Sequence, residues 1–173
     1  LKKMFTTQLV GLFNQLDEFQ LEDAARLLSQ ALVGDGRIYI YAKDEMAAVS
    51  AEALYGKESL SRISPLFEEG TLAQLDSADR VFLLSRDSDD EEMVAIAEQM
   101  SEQNMSVVGL TASHRNEGKR QWTDLVDIHL DLGVTNSLVP TDTGDRMGYP
   151  ASLLAMYTYF CLYLLISEIL SEI

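Results

Sequence analysis

Arg80-Val81-Phe82-Leu83-Leu84 is an almost unbroken apolar run, led by Asp79 and followed by the polar stretch Ser85-Arg86-Asp87-Ser88-Asp89-Asp90. A run this short, apolar on both faces and closed by a polar turn, reads as a strand covered from two sides. Strands of that kind belong to parallel sheets with helices on both faces. The segments around it repeat the theme. Upstream, Arg37-Ile38-Tyr39-Ile40-Tyr41 is β-branched and aromatic, and Ile63 marks a weaker strand. Downstream, strands are expected over Ser106 to Leu110 and Leu125 to Leu130. Between them Met46, Val49, Ala53 and Leu54, and then Met93, Ile96, Ala97 and Met100, fall at helical spacing. Leu72 to Leu75 reads as a further short helix. Strand and helix in alternation imply right-handed βαβ units. The expectation is an α/β protein: a three-layer α/β/α sandwich with a mostly parallel five-stranded sheet in flavodoxin-like order, the Ile38 strand beside the Val81 strand.

Two helices precede this core. Phe5, Leu9, Leu12, Phe13 and Leu16 form one apolar stripe, and Leu21, Ala24, Ala25, Leu28 and Leu32 a second, ended by Gly34-Asp35-Gly36. The organisation is therefore a single domain over 1–173, with leading helices over 1–33, an α/β core over 37–131 and a terminal helix over 148–172. A length of 173 residues suits one domain. From Met147 to Ser167 no residue is charged. A stretch this long could span a bilayer, but four tyrosines thin it and Glu168 and Glu172 follow it without a basic residue. It reads as a terminal helix, apolar on nearly every side, that needs a second cover. A homodimer through the N-terminal and C-terminal helices is expected, and no membrane partner.

Composition narrows the function. The apolar fraction is 47% and the charged fraction 24%, as in globular proteins. Thirteen Lys and Arg against twenty-eight Asp and Glu give 13 − 28 = −15, which excludes a general nucleic-acid binder. The lone cysteine, Cys161, fits a reducing compartment, and a cytoplasmic location is expected. The first residues, Leu1-Lys2-Lys3-Met4-Phe5, lack the apolar run of a signal peptide, and with a first residue other than methionine the expectation is a chain that is trimmed or that begins inside a longer sequence. No G-x-G-x-x-G follows the first strand, and neither a G-x-x-x-x-G-K-[ST] loop nor a G-x-S-x-G elbow occurs. No cofactor is implied. The histidines, His114 and His129, read as one in a loop and one in a strand, with no metal site.

Open parallel sheets bind ligands beyond the carboxyl ends of their strands. The candidate loops are Ala42-Lys43-Asp44-Glu45, Ser85 to Asp90, Thr111 to Arg115, and Val139 to Arg146 with Thr141 and Thr143.

At these loops the chain resembles the sugar isomerase (SIS) superfamily of phosphosugar isomerases and phosphosugar-binding regulators, over nearly its whole length. The landmarks are a strand and loop followed by an alanine-rich helix (Ile38 to Met46, then Ala51-Glu52-Ala53-Leu54), Asp79 leading an apolar strand into a serine-bearing loop, Val107 to Thr111, and Asp127 leading the last strand. Within the superfamily it looks most like a bacterial group of phosphosugar or phosphoheptose isomerases. The resemblance implies a sugar phosphate or sugar derivative held by Ala42, Lys43, Asp44, Ser85, Arg86, Asp87, Ser88, Thr111, Thr141 and Thr143, with Glu52 as the catalytic candidate.

The loops depart from the family pattern. Ser85 keeps its place, but Asp87 stands for a second serine, Ser88 for glycine and Asp90 for threonine, with Glu91 and Glu92 next. Ala42 and Asp44 replace two glycines and Met46 a serine. The family's histidine after an Asp-Arg pair is missing after Asp145-Arg146. Moving a proton between adjacent carbons needs a positioned acid and base, and half of that pair is absent. Acids at a helix start also have a plain structural use as caps. The expected function is a SIS-like carbohydrate-derivative (phosphosugar-type) binding protein, degenerate and non-catalytic. The alternative is a phosphosugar aldose–ketose isomerase of phosphoheptose isomerase type.

Overall fold

Strand direction follows from the alternation of side chains. In the computed structural model, which describes residues 1–113 and 118–173, Ile38 and Ile40 turn to one face of the sheet while Tyr39 and Tyr41 turn to the other. The same split separates Phe82 and Leu84 from Val81 and Leu83. Both faces are apolar because both are covered.

The chain runs α1 (Lys2–Asn14), α2 (Glu18–Val33), β1 (Ile38–Ala42), α3 (Ala47–Tyr55), β2 (Ile63–Pro65), β3 (Arg80–Asp87), α4 (Glu91–Glu102), β4 (Ser106–Ser113), β5 (Ile128–Asp131) and α5 (Ala151–Ser171). All four strand pairings are parallel, in the order β2-β1-β3-β4-β5. This is the flavodoxin-like order, with Tyr39 opposite Val81 as expected. One face packs on α2, α3 and α5 through Leu28, Ile40, Phe82, Leu110, Leu154 and Tyr159, among others. The opposite face packs on α4 and Trp122.

The acidic residues that lead strands have a structural task. Asp79 accepts the Arg37 backbone N–H at 2.8 Å and Asp127 that of Val107 at 2.7 Å. Each carboxylate ties the amino end of one strand to its neighbour. At the other end the backbone N–H of Lys43 donates to the Leu84 carbonyl at 2.9 Å, which sets the loops after β1 and β3 side by side.

Two expectations need correction. Leu72 to Leu75 is not a helix: Thr71–Leu72 pairs antiparallel with Phe67–Glu68 around Glu69 and Gly70, whose φ values are 49° and 78°. Two-residue strands carry no readable periodicity. The last strand begins at Ile128, because Trp122–Leu125 forms a 3₁₀ turn. A second ribbon, Val139–Pro140 with Arg146–Met147, also escaped the sequence reading.

α5 is long and apolar enough to cross a membrane by composition. Here Leu154, Ala155, Thr158, Tyr159, Leu162 and Ile166 are buried within the fold. Its other side is open: Leu164 is 65% exposed and Leu153 46%. α1 contributes no buried residue at all.

Candidate functional site

The carboxyl ends of β1 and β3 lie next to each other, and the N-terminus of α4 closes the space between them. A helix N-terminus offers unpaired backbone N–H groups and partial positive charge, the ordinary seat of an anion. In this chain an anion of its own already sits there. Asp90 is the N-cap of α4, and its Oδ1 accepts the Met93 backbone N–H at 3.1 Å. Across the gap Lys43 Nζ reaches both oxygens of Asp90, at 3.0 and 2.8 Å, and Glu92 at 3.2 Å. The Tyr41 hydroxyl donates to Glu92 from the same side. The Lys43 and Asp90 side chains are 26% and 19% exposed, so the pair is only partly screened.

The protonation equilibria reflect this closure. Hydrogen bonding to Asp90 raises the Lys43 ammonium above its ordinary value, against burial. Burial works to raise the Asp90 carboxyl, but the bonds from Lys43 and the Met93 N–H prevail and hold it low. Glu92 is also held low, first by Tyr41 and then by Lys43. Tyr41 is pushed up to about 12 by burial and by its bond to Glu92. All four groups thus keep one charge state across the neutral range.

Arg86 is the second cation at this edge, and it too is engaged. Its Nη1 lies 3.1 and 3.2 Å from the two oxygens of Glu45, and its Nε lies 3.3 Å from Asp87. Ser85 is nearly inaccessible: its hydroxyl donates to the Asp87 carbonyl at 2.7 Å and accepts from Trp122 Nε1 at 2.9 Å. Ser88 is fully buried and bonds to Gln121. The serine hydroxyls therefore serve the loop's own shape.

The remaining predicted residues are dispersed. Ala42 ends β1. Asp44 adopts φ 54°, the left-handed region. Aspartate tolerates that conformation better than most residues, though less readily than glycine. The loop thus keeps a glycine-like bend without a glycine. Met46, in the serine position, is fully buried in the core. Thr111 is buried and hydrogen-bonds His129 at 2.7 Å across β4 and β5. Thr141 and Thr143 bond to each other at 3.0 Å and to Asp145 in the turn of the second ribbon. Glu52 sits on α3 against Gly56 and adds charge near Tyr159 on α5. Ala42, Lys43, Asp44, Ser85, Arg86, Asp87 and Ser88 are thus brought to one edge, and Glu52, Thr141 and Thr143 take their described contacts elsewhere. His114 lies outside the described residues.

Sequence reasoning missed Trp122. Its ring fills the space over Gly109, where an added Cβ would lie 2.6 Å from Cζ3. A glycine inside an apolar strand is the available signal for such a close approach. Lys43 was named for its place in the loop, not for its partner. None of the five described openings is lined by the residues expected to hold the ligand, though Arg146, at the end of the candidate loop from Val139, lines one of them. Among the described residues, no group of three or more His, Cys, Asp or Glu could hold a metal ion.

A five-stranded parallel sheet in this order, flanked by helices, is an α/β sandwich of the kind found in solved sugar-isomerase domains. The Vibrio vulnificus NanR protein complexed with ManNAc-6P superposes with a TM-score of 0.70 at 15% identity, covering 99% of this chain and 62% of that one. The sugar isomerase domain of the RpiR transcription factor from Sphaerobacter thermophilus gives 0.67 at 15% identity, covering 98% and 90%. A phosphoheptose isomerase from Francisella tularensis gives 0.62 at 11% identity, covering 96% and 92%. The chain belongs to the family described as a domain of unknown function, DUF2529, which matches residues 1–170. The Bacillus subtilis (strain 168) uncharacterized protein YwjG is 32% identical over 174 residues, 98% of each chain.

Proposed function

We propose that this protein is a non-catalytic sugar-isomerase-type module that receives a carbohydrate derivative at the carboxyl edge of its sheet. The observation that carries the reading is the Lys43–Asp90 pair at the start of α4. An internal carboxylate takes the helix N-terminus and the one lysine that reaches it, so the geometry that seats a phosphate is kept and its charge is already balanced. Neighbours of the same fold include a complex with ManNAc-6P and a transcription factor's sugar isomerase domain, which supports a sugar-derivative ligand for this fold. A phosphosugar-type ligand is held weakly under this reading. The module works as a homodimer: α1 packs on the fold only through half-buried residues such as Leu9, Leu12 and Phe13, and Val10 of α1 with Leu153 and Leu164 of α5 stays exposed, so a second copy covers both helices. One cysteine and the net acidity accord with a cytoplasmic setting.

The second reading is an aldose–ketose isomerase in which Glu52 supplies the acid–base group. Its support is the position of Glu52, half-buried on the alanine-rich helix and close to Tyr159. The test is NMR of the protein incubated with arabinose 5-phosphate and with heptose and hexulose phosphates. No interconversion, together with a thermal shift on adding a sugar derivative, supports the binding module. Turnover that disappears in Glu52→Gln supports the isomerase.

A further inference from the structure

The chain carries a second opening at the ligand-binding side of the sheet, and its chemistry is the opposite of the acidic loop. The segment after β5 leaves the sheet at its carboxyl end and runs beneath α1. Between them lies an open groove of about 360 Å³, lined by Thr7, Gln8, Gly11 and Leu12 of α1, by Gln15 just beyond it, by residues 133–138, and by Arg146. Ligand cavities commonly begin near this size. In a protein of net charge −15 its lining holds no carboxylate, and its one ionic group is Arg146.

Arg146 is fixed in place. Its Nε donates to the Ser137 carbonyl at 2.7 Å and its Nη2 to the Leu138 carbonyl at 3.0 Å. Nη1 remains as a donor for a ligand. A guanidinium already anchored on two carbonyls loses little freedom when it takes a carboxylate. Asp145, its neighbour in sequence, is turned into the ribbon's own hydrogen bonds with Thr143. The amides of Gln8 and Gln15 carry no hydrogen bond among the described residues, so donors and acceptors for hydroxyl groups stand on the facing wall.

From this lining we infer that the groove binds a small polyhydroxylated monoanion, a sugar acid, with Arg146 on the carboxylate and the Gln8 and Gln15 amides on the hydroxyls. One guanidinium matches one negative charge better than a phosphate dianion. The inference goes beyond the sheet-edge reading: it is a second site for a carbohydrate derivative, apart from Ser85–Asp90. α1 has no buried residue, so a ligand bridging it to the 133–138 segment should stabilise the fold.

The experiment is thermal shift and calorimetry with gluconate and glucuronate, using glucitol and glucose 6-phosphate as controls. A saturating sugar acid should raise Tm by about 5 °C, and glucitol should do much less. Gly11→Leu should abolish the response. The glycine's Cβ direction meets nothing within 4 Å, so a longer side chain starts from open space at the groove wall, and leucine improves helix propensity. Gln15→Leu serves the same purpose should the first variant fold poorly. Arg146→Gln should weaken acid binding about tenfold or more. No shift from either acid up to about 10 mM overturns the inference, as does a response that survives cavity filling. A phosphate-only response insensitive to Gly11→Leu also overturns it, while leaving the sheet-edge reading intact.

Discussion

Replacing Asp90 with threonine should turn a closed anion seat into an open one. Threonine still caps a helix, so α4 keeps its first hydrogen bond. The internal carboxylate is removed and Lys43 loses its closest partner. A phosphate seated on the same N–H groups would lie about 5 Å from the carboxylate it now escapes. With an effective dielectric of about 20, that repulsion is roughly 3 kcal/mol per unit charge. Taken whole it is a factor of about 100 in affinity. Salt and the remaining exposure of the pair reduce this, so a gain of ten- to hundredfold is expected for ManNAc-6P by calorimetry. Stability should fall by about 1 kcal/mol, the worth of a partly exposed pair. The control is the same change beside Lys43→Gln, where most of the gain should vanish. A folded Asp90→Thr protein with unchanged phosphate affinity would refute the argument that internal charge closes this edge.

Three further outcomes follow from the same structure. Gly109→Ala should cost about 1–3 kcal/mol in urea unfolding, since its Cβ meets the Trp122 ring at 2.6 Å; an unchanged midpoint would mean that the ring is not seated there. The Lys43–Asp90 contribution should be constant across neutral pH. Asp90 is lowered from 3.8, so its share is present above that value and lost as pH falls through the lower folded value. Lys43 is raised from 10.5, so its share is present below 10.5 and lost only as pH rises through the higher folded value; a stability step between pH 6 and 8 that Asp90→Asn removes would contradict both signs. Sedimentation should give a mass near twice 19.3 kDa, and Val10→Glu with Leu164→Glu should shift it to the monomer; a monomeric wild type at micromolar concentration would remove the dimer.

What the sequence disclosed and what it hid divide along range of interaction. The strand at Val81 to Leu84 was legible because burial on both faces leaves an unbroken apolar run. The cap at Asp90 was legible as well, because capping is local. Its pairing with Lys43 was not. That contact spans 47 positions and exists only because β1 and β3 run parallel in a register that sets the two loops together. The ribbon at Phe67 to Leu72 was not legible, since its strands are too short to show alternation. The second cavity was hidden for a similar reason, since it needs α1 to lie over a segment far along the chain. The apolar circumference of α5 was visible, and much of it proved to be core, with Leu153 and Leu164 left exposed.

The central claim is that the protein's own Lys43–Asp90 pair occupies the phosphate seat at the start of α4. A ³¹P NMR titration of the wild-type protein with ManNAc-6P near neutral pH tests it most directly. The account predicts a dissociation constant weaker than about 1 mM, with no saturating shift or broadening of the phosphate signal. Saturable binding at micromolar concentration, lost on changing Ser85 or Lys43, would contradict it.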